Sequence, residues 1–320
     1  MPTERYDAAT FFNSTSYALP SAFQWSPDDR YLYLSSNQTG VFNAYRMDVA
    51  SGDLEAMTES TDDGCYASSG FPSDGRLLFR SDRGGNERQH LYVRAEDGKV
   101  TDLTPGDDVS ASFFGWSNDH QHFYVLSNAR DPQAFDVYQY HADTYESELI
   151  FQNDNAYMPS AYDGERFLAL SKSYNNSNSD VLVHDMLGNQ GEPTLITSHD
   201  GDIEHTVYSF DRKGKLVYST NEHGEWMQAW AHDLETGEQS LLVEADWNVG
   251  SVGFSPSGRY RVTMVNADSR SELSFYDTEK DVPLLLPNLP IGDIDSIVLS
   301  RDESKMAVAI SSDTSPSDIY

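Results

Sequence analysis

Short runs of alternating apolar and polar residues recur along the whole chain, and each is bounded by turn residues. Tyr31–Leu34, Leu77–Phe79 and His122–Leu126 are the first three, and the later runs are Arg166–Leu170, Lys215–Tyr218, Tyr260–Met264 and Met306–Ile310. Runs this short, rich in β-branched and aromatic residues, are typical of β-strands. No segment shows the periodicity of a long helix. The pattern therefore predicts an all-β protein.

Each run follows a lead residue and a turn of the Ser-Pro-Asp-Gly kind. The clearest copies are Trp25-Ser26-Pro27-Asp28-Asp29 and Phe254-Ser255-Pro256-Ser257-Gly258. Successive lead residues are 44 to 48 positions apart, and they are Trp25, Phe71, Trp116, Tyr162, Phe210, Phe254 and Leu299. Strands and turns that repeat with a period near 45 residues indicate a β-propeller with about four strands per blade. Proline and aspartate are typical of such turns, which gives these motif residues a structural role. We expect the lead residues to pack between neighbouring blades rather than to act in catalysis.

The spacing gives the domain organisation. In each of the first five blades the predicted third strand has a marker residue 20 to 22 positions after the lead residue, and the markers are Tyr45, Tyr92, Tyr138, Leu182 and Trp230. The step from Leu299 to Tyr320 is 21. The sequence thus predicts a seven-bladed β-propeller of four-stranded antiparallel blades, the last blade incomplete. We expect a single domain over residues 1–320, with a leading segment over 1–20 and blades that start near 21, 66, 111, 157, 205, 249 and 294. The end inside a blade favours a fragment of a longer protein.

Composition limits the partners. The chain has 52 acidic and 21 basic residues, a net charge of −31, and only six of the basic residues are lysines. Such a charge repels nucleic acid and anionic lipid, so we expect neither as a partner. A salt-tolerant host is one explanation for the spread of acids, and cation binding is another, although no calcium-loop motif is present. The single cysteine, Cys65, and the lack of a signal segment or an 18-residue apolar run favour the cytoplasm.

Motifs for catalysis are weak. No Gly-x-Ser-x-Gly string is present, and Gly115-Trp116-Ser117-Asn118-Asp119, the nearest, coincides with a repeat turn. His120 and His122 have the spacing of a zinc pair, but His120 occupies a turn position and no third ligand is nearby in sequence. Paired carboxylates for glycoside chemistry stay open, because the many acids make pairs unavoidable. We therefore predict no catalytic residue, no metal and no cofactor for this chain.

Several strings resemble the propeller of the prolyl oligopeptidase family of serine peptidases. Ser81-Asp82-Arg83-Gly84-Gly85-Asn86-Glu87-Arg88-Gln89-His90-Leu91-Tyr92 is similar to its second blade. Phe114–Ser117, Ser127–Asp131 and Phe135–Tyr138 are similar to the third, and Phe11-Phe12 with Thr15–Tyr17 and Trp25–Asp28 to the start of that propeller. The acylaminoacyl-peptidase and dipeptidyl-peptidase-like branch, whose repeats resemble those of TolB, fits best. The adjacent-glutamate motif of dipeptidyl peptidases is absent, which argues against dipeptidyl release.

The resemblance implies a substrate-gating domain that precedes an α/β-hydrolase domain with the catalytic Ser, Asp and His, which this chain lacks. The partners it implies are that hydrolase domain of the same parent chain and peptide substrates. It further implies substrate-binding residues in two loops, namely Arg83, Glu87 and Arg88, and Asn128 and Arg130. The alternative for these arginines is that they brace Asp-rich loops by local ion pairs. Two other functions stay open: a stand-alone TolB-like interaction scaffold, and a propeller glycosidase or lyase.

Overall fold

The computed structural model describes residues 13–188 and 191–320, and these form twenty-seven β-strands and no helix. Phe11, Phe12 and most of the leading segment predicted over 1–20 lie outside the described residues. The strands form seven separate antiparallel sheets, each built from strands that are consecutive along the chain. Six sheets have four strands and the last has three. The predicted fold, a seven-bladed β-propeller with an incomplete last blade, is confirmed.

The described residues divide into two compact units, one running up to Ser112 together with Leu289–Tyr320, the other Phe113–Asn288. The strands of the first unit make blades 1, 2 and 7. They are β1 (Tyr17–Ala18), β2 (Tyr31–Ser36), β3 (Asn43–Asp48) and β4 (Leu54–Ala56); β5 (Cys65–Gly70), β6 (Leu77–Ser81), β7 (His90–Arg94) and β8 (Val100–Asp102); and β25 (Asp293–Leu299), β26 (Met306–Ser312) and β27 (Ser315–Ile319).

The second unit contains blades 3 to 6, except for Ala111 and Ser112, the first two residues of β9, which belong to the first unit. Its strands are β9 (Ala111–Trp116), β10 (His122–Asp131), β11 (Ala134–His141) and β12 (Ser147–Phe151); β13 (Met158–Tyr162), β14 (Phe167–Asn175), β15 (Asn178–Asp185) and β16 (Thr194–Leu195); β17 (His205–Phe210), β18 (Leu216–Thr220), β19 (Gln228–His232) and β20 (Gln239–Val243); and β21 (Asn248–Phe254), β22 (Tyr260–Ala267), β23 (Arg270–Asp277) and β24 (Val282–Leu284).

Apolar clusters between neighbouring blades form the core of each unit. In the first unit Trp25 and Leu32 of blade 1 pack with Val298 and Ala307 of blade 7. In the second unit Tyr162, Phe210 and Phe254 pack into clusters shared by blades 3 and 4, 4 and 5, and 5 and 6. These lead residues therefore pack between blades, as the sequence predicted.

The repeat turns owe their shape to a serine and to a residue with positive φ. Ser26 donates its hydroxyl proton to Asp28 Oδ1 at 2.6 Å and accepts the N–H of Tyr31 at 2.9 Å. The last turn position has a φ of 53° at Asp29 and 77° at Gly258, a conformation that glycine adopts without strain and aspartate tolerates. The Ser and Asp of the motif therefore hold the corner through side chains, and the last position provides the reversal.

A polar clamp fastens the end of the fourth strand in five blades. The clamp residue lies two positions before the third-strand marker, and its side chain hydrogen-bonds or pairs with residues at or just beyond the fourth strand: Asn43 with Thr58 and Ser60, His90 with Asp102 and Gly106, Asp136 with Asn153, Asp180 with Thr197, and Gln228 with Ala245. In three blades a buried threonine adds a second bond by accepting a third-strand N–H, as Thr58 does from Ala44 at 2.8 Å. An aliphatic residue or methionine followed by threonine recurs just after the fourth strand, as Met57-Thr58, Leu103-Thr104 and Ile196-Thr197, and the threonine of this pair is thus a hydrogen-bonding device.

Candidate functional site

Arg83, Glu87 and Arg88 lie on the loop between β6 and β7 of blade 2, and all three are exposed. The Arg88 guanidinium contacts the Asp108 carboxylate and donates to the Asp107 carbonyl at 3.0 Å. The Glu87 N–H donates to Asp82 Oδ2 at 3.0 Å. Asp82 therefore braces the loop from within, and Arg88 ties the loop to the connection between β8 and β9.

Arg83 lies beside a partly buried tyrosine of the next strand. Burial raises the pKa of the Tyr92 phenol, while the charge of Arg83 and its hydrogen bond to the ring hydroxyl act in the opposite direction. The guanidinium itself remains exposed. Of the two arginines on this loop, Arg83 is the one whose partner is a neutral hydroxyl rather than a carboxylate.

Asn128 and Arg130 lie near the end of β10 in blade 3, in the second unit. Arg130 donates from Nε and Nη2 to the two carboxylate oxygens of Asp136, at 2.7 and 2.9 Å, and lies 3.2 Å from Asp154. The Asp136 side chain is fully buried, and its hydrogen bond raises the pKa of Arg130 above its ordinary value. Arg130 thus neutralises the clamp residue of its blade. A substrate-binding role for these five residues stays a prediction.

A pocket in blade 4, which the sequence did not indicate, brings titratable groups together. Its volume is about 280 Å³, and it lies where the β14–β15 hairpin meets the connection that follows β16. The residues that line it are Tyr174, Asn178, Asp180, Leu195, Ser198, His199 and Gly201. Tyr174 and Leu195 expose about half of their surface, so the pocket offers an aromatic and an aliphatic wall above polar groups.

Asp180 is the centre of this pocket's hydrogen-bond network. Its Oδ2 accepts the Tyr174 hydroxyl at 2.8 Å, and its Oδ1 accepts the Thr197 hydroxyl at 3.3 Å. The Nε2 of His199 lies 3.3 Å from the same Oδ1, and both of these side chains are largely buried. The bond to a carboxylate raises the pKa of the Tyr174 phenol. The clamp position of blade 4 therefore carries an Asp–His pair with a tyrosine hydroxyl on its other side.

His199 also packs on His205, the first residue of β17 in blade 5, with ring centroids 5.1 Å apart. The Nδ1 of His205 lies 2.7 Å from the Ser179 carbonyl oxygen, so this nitrogen carries the proton. Its Nε2 is buried without a hydrogen-bond partner among the described residues, as is the Nδ1 of His199. Burial lowers the pKa of His205, because it disfavours the charged form of the imidazole.

The pocket brings the Asp180 carboxylate, the Tyr174 hydroxyl and the Asn178 side chain to one cavity, which is an arrangement suited to hydrogen bonds with a small polar molecule. Among residues 13–188 and 191–320, no group of three His, Cys, Asp or Glu side chains is arranged to hold a metal ion. His120, considered above for zinc, lies in its turn with a φ of 60°, and the ring of His122 contacts that of His141 across the β10–β11 ladder.

No motif or spacing in the sequence points to this pocket. Tyr174 and His199 are separated by a hairpin, a strand and a connection, and Asp200-Gly201-Asp202 reads as a solvated loop. A signal exists only once the structure has revealed the clamp, because an aspartate at the clamp position of blade 4 requires proton donors from elsewhere. In the part of the chain that the structure describes, no helix has the length and apolarity needed to cross a bilayer.

Comparisons with known proteins place the fold but no family. No family model matches the chain. A 6-phosphogluconolactonase from Pectobacterium atrosepticum is 26% identical over 143 residues, 42% of each chain. Among solved structures, a prolyl endopeptidase superimposes with a TM-score of 0.73 at 15% identity, over 97% of this chain and 48% of that one. An oligogalacturonate lyase in complex with manganese superimposes with a TM-score of 0.72 at 12% identity, over 95% and 89%. The chain thus spans less than half of the lactonase and of the endopeptidase.

Proposed function

We propose that this chain is the β-propeller part of a serine peptidase of the prolyl oligopeptidase kind, and that it restricts a hydrolase domain to short or unstructured peptides. The propeller would act by steric exclusion, since a folded protein is too large to pass it. Bond cleavage would belong to the Ser, Asp and His of the hydrolase domain. Arg83 would bind a carbonyl or carboxylate of the peptide through a charge-assisted hydrogen bond.

The observation that carries this proposal is the share of each chain that aligns in the superposition on a prolyl endopeptidase. Nearly all of this chain aligns, yet it accounts for 48% of that protein. We expect these shares when one protein is a propeller and the other is a propeller joined to a second domain of similar size. The strings Ser81–Tyr92 and Phe114–Ser117 support the same proposal from the sequence side.

The test begins with the reading frame beyond codon 320. The complete gene product is expressed and assayed on an eight-residue peptide and on the same segment embedded in a folded protein. We expect a Gly-x-Ser-x-Gly motif, cleavage of the free peptide only, and loss of activity when the motif serine is changed to alanine. A gene product without a hydrolase motif, or one that cleaves the folded protein at the same rate, would contradict the proposal.

An oligogalacturonate lyase is the second candidate, because the likeness to such an enzyme covers 89% of that chain as well as 95% of this one. A stand-alone propeller enzyme has this relation of lengths. The experiment is incubation of residues 1–320 with oligogalacturonate, with and without Mn²⁺, while the unsaturated product is followed by ultraviolet absorbance. Turnover that depends on the chain would favour the lyase over the peptidase. Turnover in neither assay would favour the interaction scaffold.

A further inference from the structure

We propose that a tryptophan pair in blade 5, with the exposed carboxylates that precede each ring along the chain, binds a cationic side chain of a peptide, the guanidinium of arginine or the ammonium of lysine. Trp226 lies on the loop between β18 and β19, and Trp247 lies on the connection that leaves β20. Their ring centroids are 5.1 Å apart and their planes are inclined by 37°. Trp247 is 39% exposed and Trp226 is partly exposed, so indole surface is open to solvent.

The pair is held in place by bonds that need no ligand. The amide of Gln228 accepts the N–H of Ala245 at 2.7 Å and donates to the carbonyl of the same residue at 3.0 Å. The N–H of Met227 donates to Asn248 Oδ1 at 2.8 Å, and the N–H of Val249 donates to the Met227 carbonyl at 2.8 Å. Both segments that carry the indoles are thus fixed beforehand, which keeps the entropic cost of binding low.

Four exposed carboxylates accompany the two rings. Glu222 and Glu225 precede Trp226, and Glu244 and Asp246 precede Trp247. No lysine or arginine occurs between Lys215 and Arg259, so the chain supplies no cation of its own from these segments. The imidazole of His223 lies 3.9 Å from the Glu222 carboxylate. The local charge is therefore complementary to a cation from another molecule.

Acidic residues alone would single out nothing on this chain, because they occur throughout. The exposed indole pair makes the difference, since tryptophan is the aromatic side chain that binds cations most strongly through its ring face. A guanidinium is planar and weakly hydrated, so it can stack on an indole while its N–H groups reach carboxylates beside the ring. Anionic ligands would be repelled by the same carboxylates. This inference does not depend on the function proposed above.

The test measures binding of a fluorescein-labelled peptide of four Arg-Gly repeats to the full chain by fluorescence anisotropy, with Lys-Gly and Glu-Gly peptides for comparison. We expect binding of the Arg and Lys peptides only. Trp226→Ala and Trp247→Ala should each weaken it about fivefold to thirtyfold, which spans the range from the upper end of an exposed cation–π contact to one that the bound side chain desolvates. The double variant Glu225→Gln/Asp246→Asn should also weaken binding, and the loss of affinity should be larger at low salt than at high salt.

The matched control is Glu235→Gln/Glu238→Gln. It removes two exposed charges from the β19–β20 turn, which lies at the opposite end of the strands of the same blade. It should change the affinity less than about twofold, and circular dichroism of every variant should match the parent. Equal binding of the Glu-Gly peptide, unchanged binding by both tryptophan variants, or an equal loss in the control would each overturn the proposal, the last by showing unspecific attraction to an acidic surface.

Discussion

The carboxylate of Asp29 in blade 1 accepts a hydrogen bond from the backbone N–H of Arg301 in blade 7, with 2.9 Å between Oδ1 and N. Its second oxygen accepts the N–H of Asp302 at 3.0 Å. Asp29 occupies the turn position where Gly258 and Gly214 stand in other blades, and its φ is 53°. An aspartate at a glycine position thus joins two turns that are far apart in sequence.

Replacing Asp29 by glycine removes the carboxylate but retains a residue that adopts a positive φ. The variant therefore separates the contribution of the two hydrogen bonds to stability from that of the backbone conformation. Glycine suits a positive φ better than aspartate does, so backbone strain alone predicts a gain in stability. The loss of both acceptors leaves two N–H groups of blade 7 without partners, and we expect the free energy of unfolding to fall by about 1–3 kcal/mol. Urea unfolding measures this, and a variant as stable as the parent would show that the two bonds contribute little.

The threonine of the clamp can be tested in blade 1. Thr58→Val keeps the shape of the side chain but removes the acceptor for the N–H of Ala44, which is fully buried. An unsatisfied buried N–H should lower the free energy of unfolding by about 1–3 kcal/mol. Thr58→Ser should retain most of the stability, and Thr61→Val, at an exposed threonine, should change little. Equal effects of the two valine variants in urea unfolding would contradict the clamp.

His205 should make stability depend on pH. Its folded-state pKa lies below the ordinary 6.5 because the ring is buried, and a proton on Nε2 would have no acceptor. The unfolded chain therefore binds this proton more readily than the folded chain. The contribution of the neutral, buried His205 to the free energy of unfolding is thus complete above pH 6.5 and is lost as the pH falls below that value. His205→Asn should flatten the decline between pH 7.5 and about 5.5 in thermal melts. His223→Asn, at an exposed histidine, should leave the decline unchanged.

The Asp180–Tyr174 bond should be visible in the titration of a phenol. The pKa of Tyr174 is raised because its hydroxyl donates to the Asp180 carboxylate. Asp180→Asn removes the negative charge, so the Tyr174 pKa should move down toward its ordinary value of 10.0. The ultraviolet difference spectrum between parent and variant at alkaline pH reports this. In a Tyr174→Phe background the same change should produce no difference, and a persisting difference would assign the signal to another tyrosine.

The arginine hypothesis makes a prediction for the complete peptidase. Arg83→Ala should lower kcat/KM for short peptides about tenfold, as expected for a lost charge-assisted hydrogen bond. Arg88→Ala should have the smaller effect, because its guanidinium is already engaged by Asp108. Lys99→Ala, at the β7–β8 turn on the other edge of the blade, is the control. If Arg83→Ala left kcat/KM unchanged for every peptide, the substrate-binding hypothesis would be wrong. These arginines would then only brace their loop.

The fold could be predicted because the period of the lead residues depends on local turn chemistry, which a sequence displays directly. The clamp could not be recognised in the same way, since Asn43, His90, Asp136 and Gln228 perform one task with different side chains. The Trp226–Trp247 contact and the blade 4 pocket join residues from separate loops. Nothing in a single chain marks which loops will meet, so neither feature follows from spacing.

The fourth strands are only two to five residues long and hydrogen-bond to a neighbour on one side alone. Their amides should therefore exchange with solvent deuterium well before those of the second strands, which have partners on both sides. In blades 1, 2 and 4 that local opening also breaks the bonds of the clamp and its threonine, so these bonds should raise its free energy. A weakened clamp would make the rim of one blade accessible to proteases while the remaining strands of that blade stay folded.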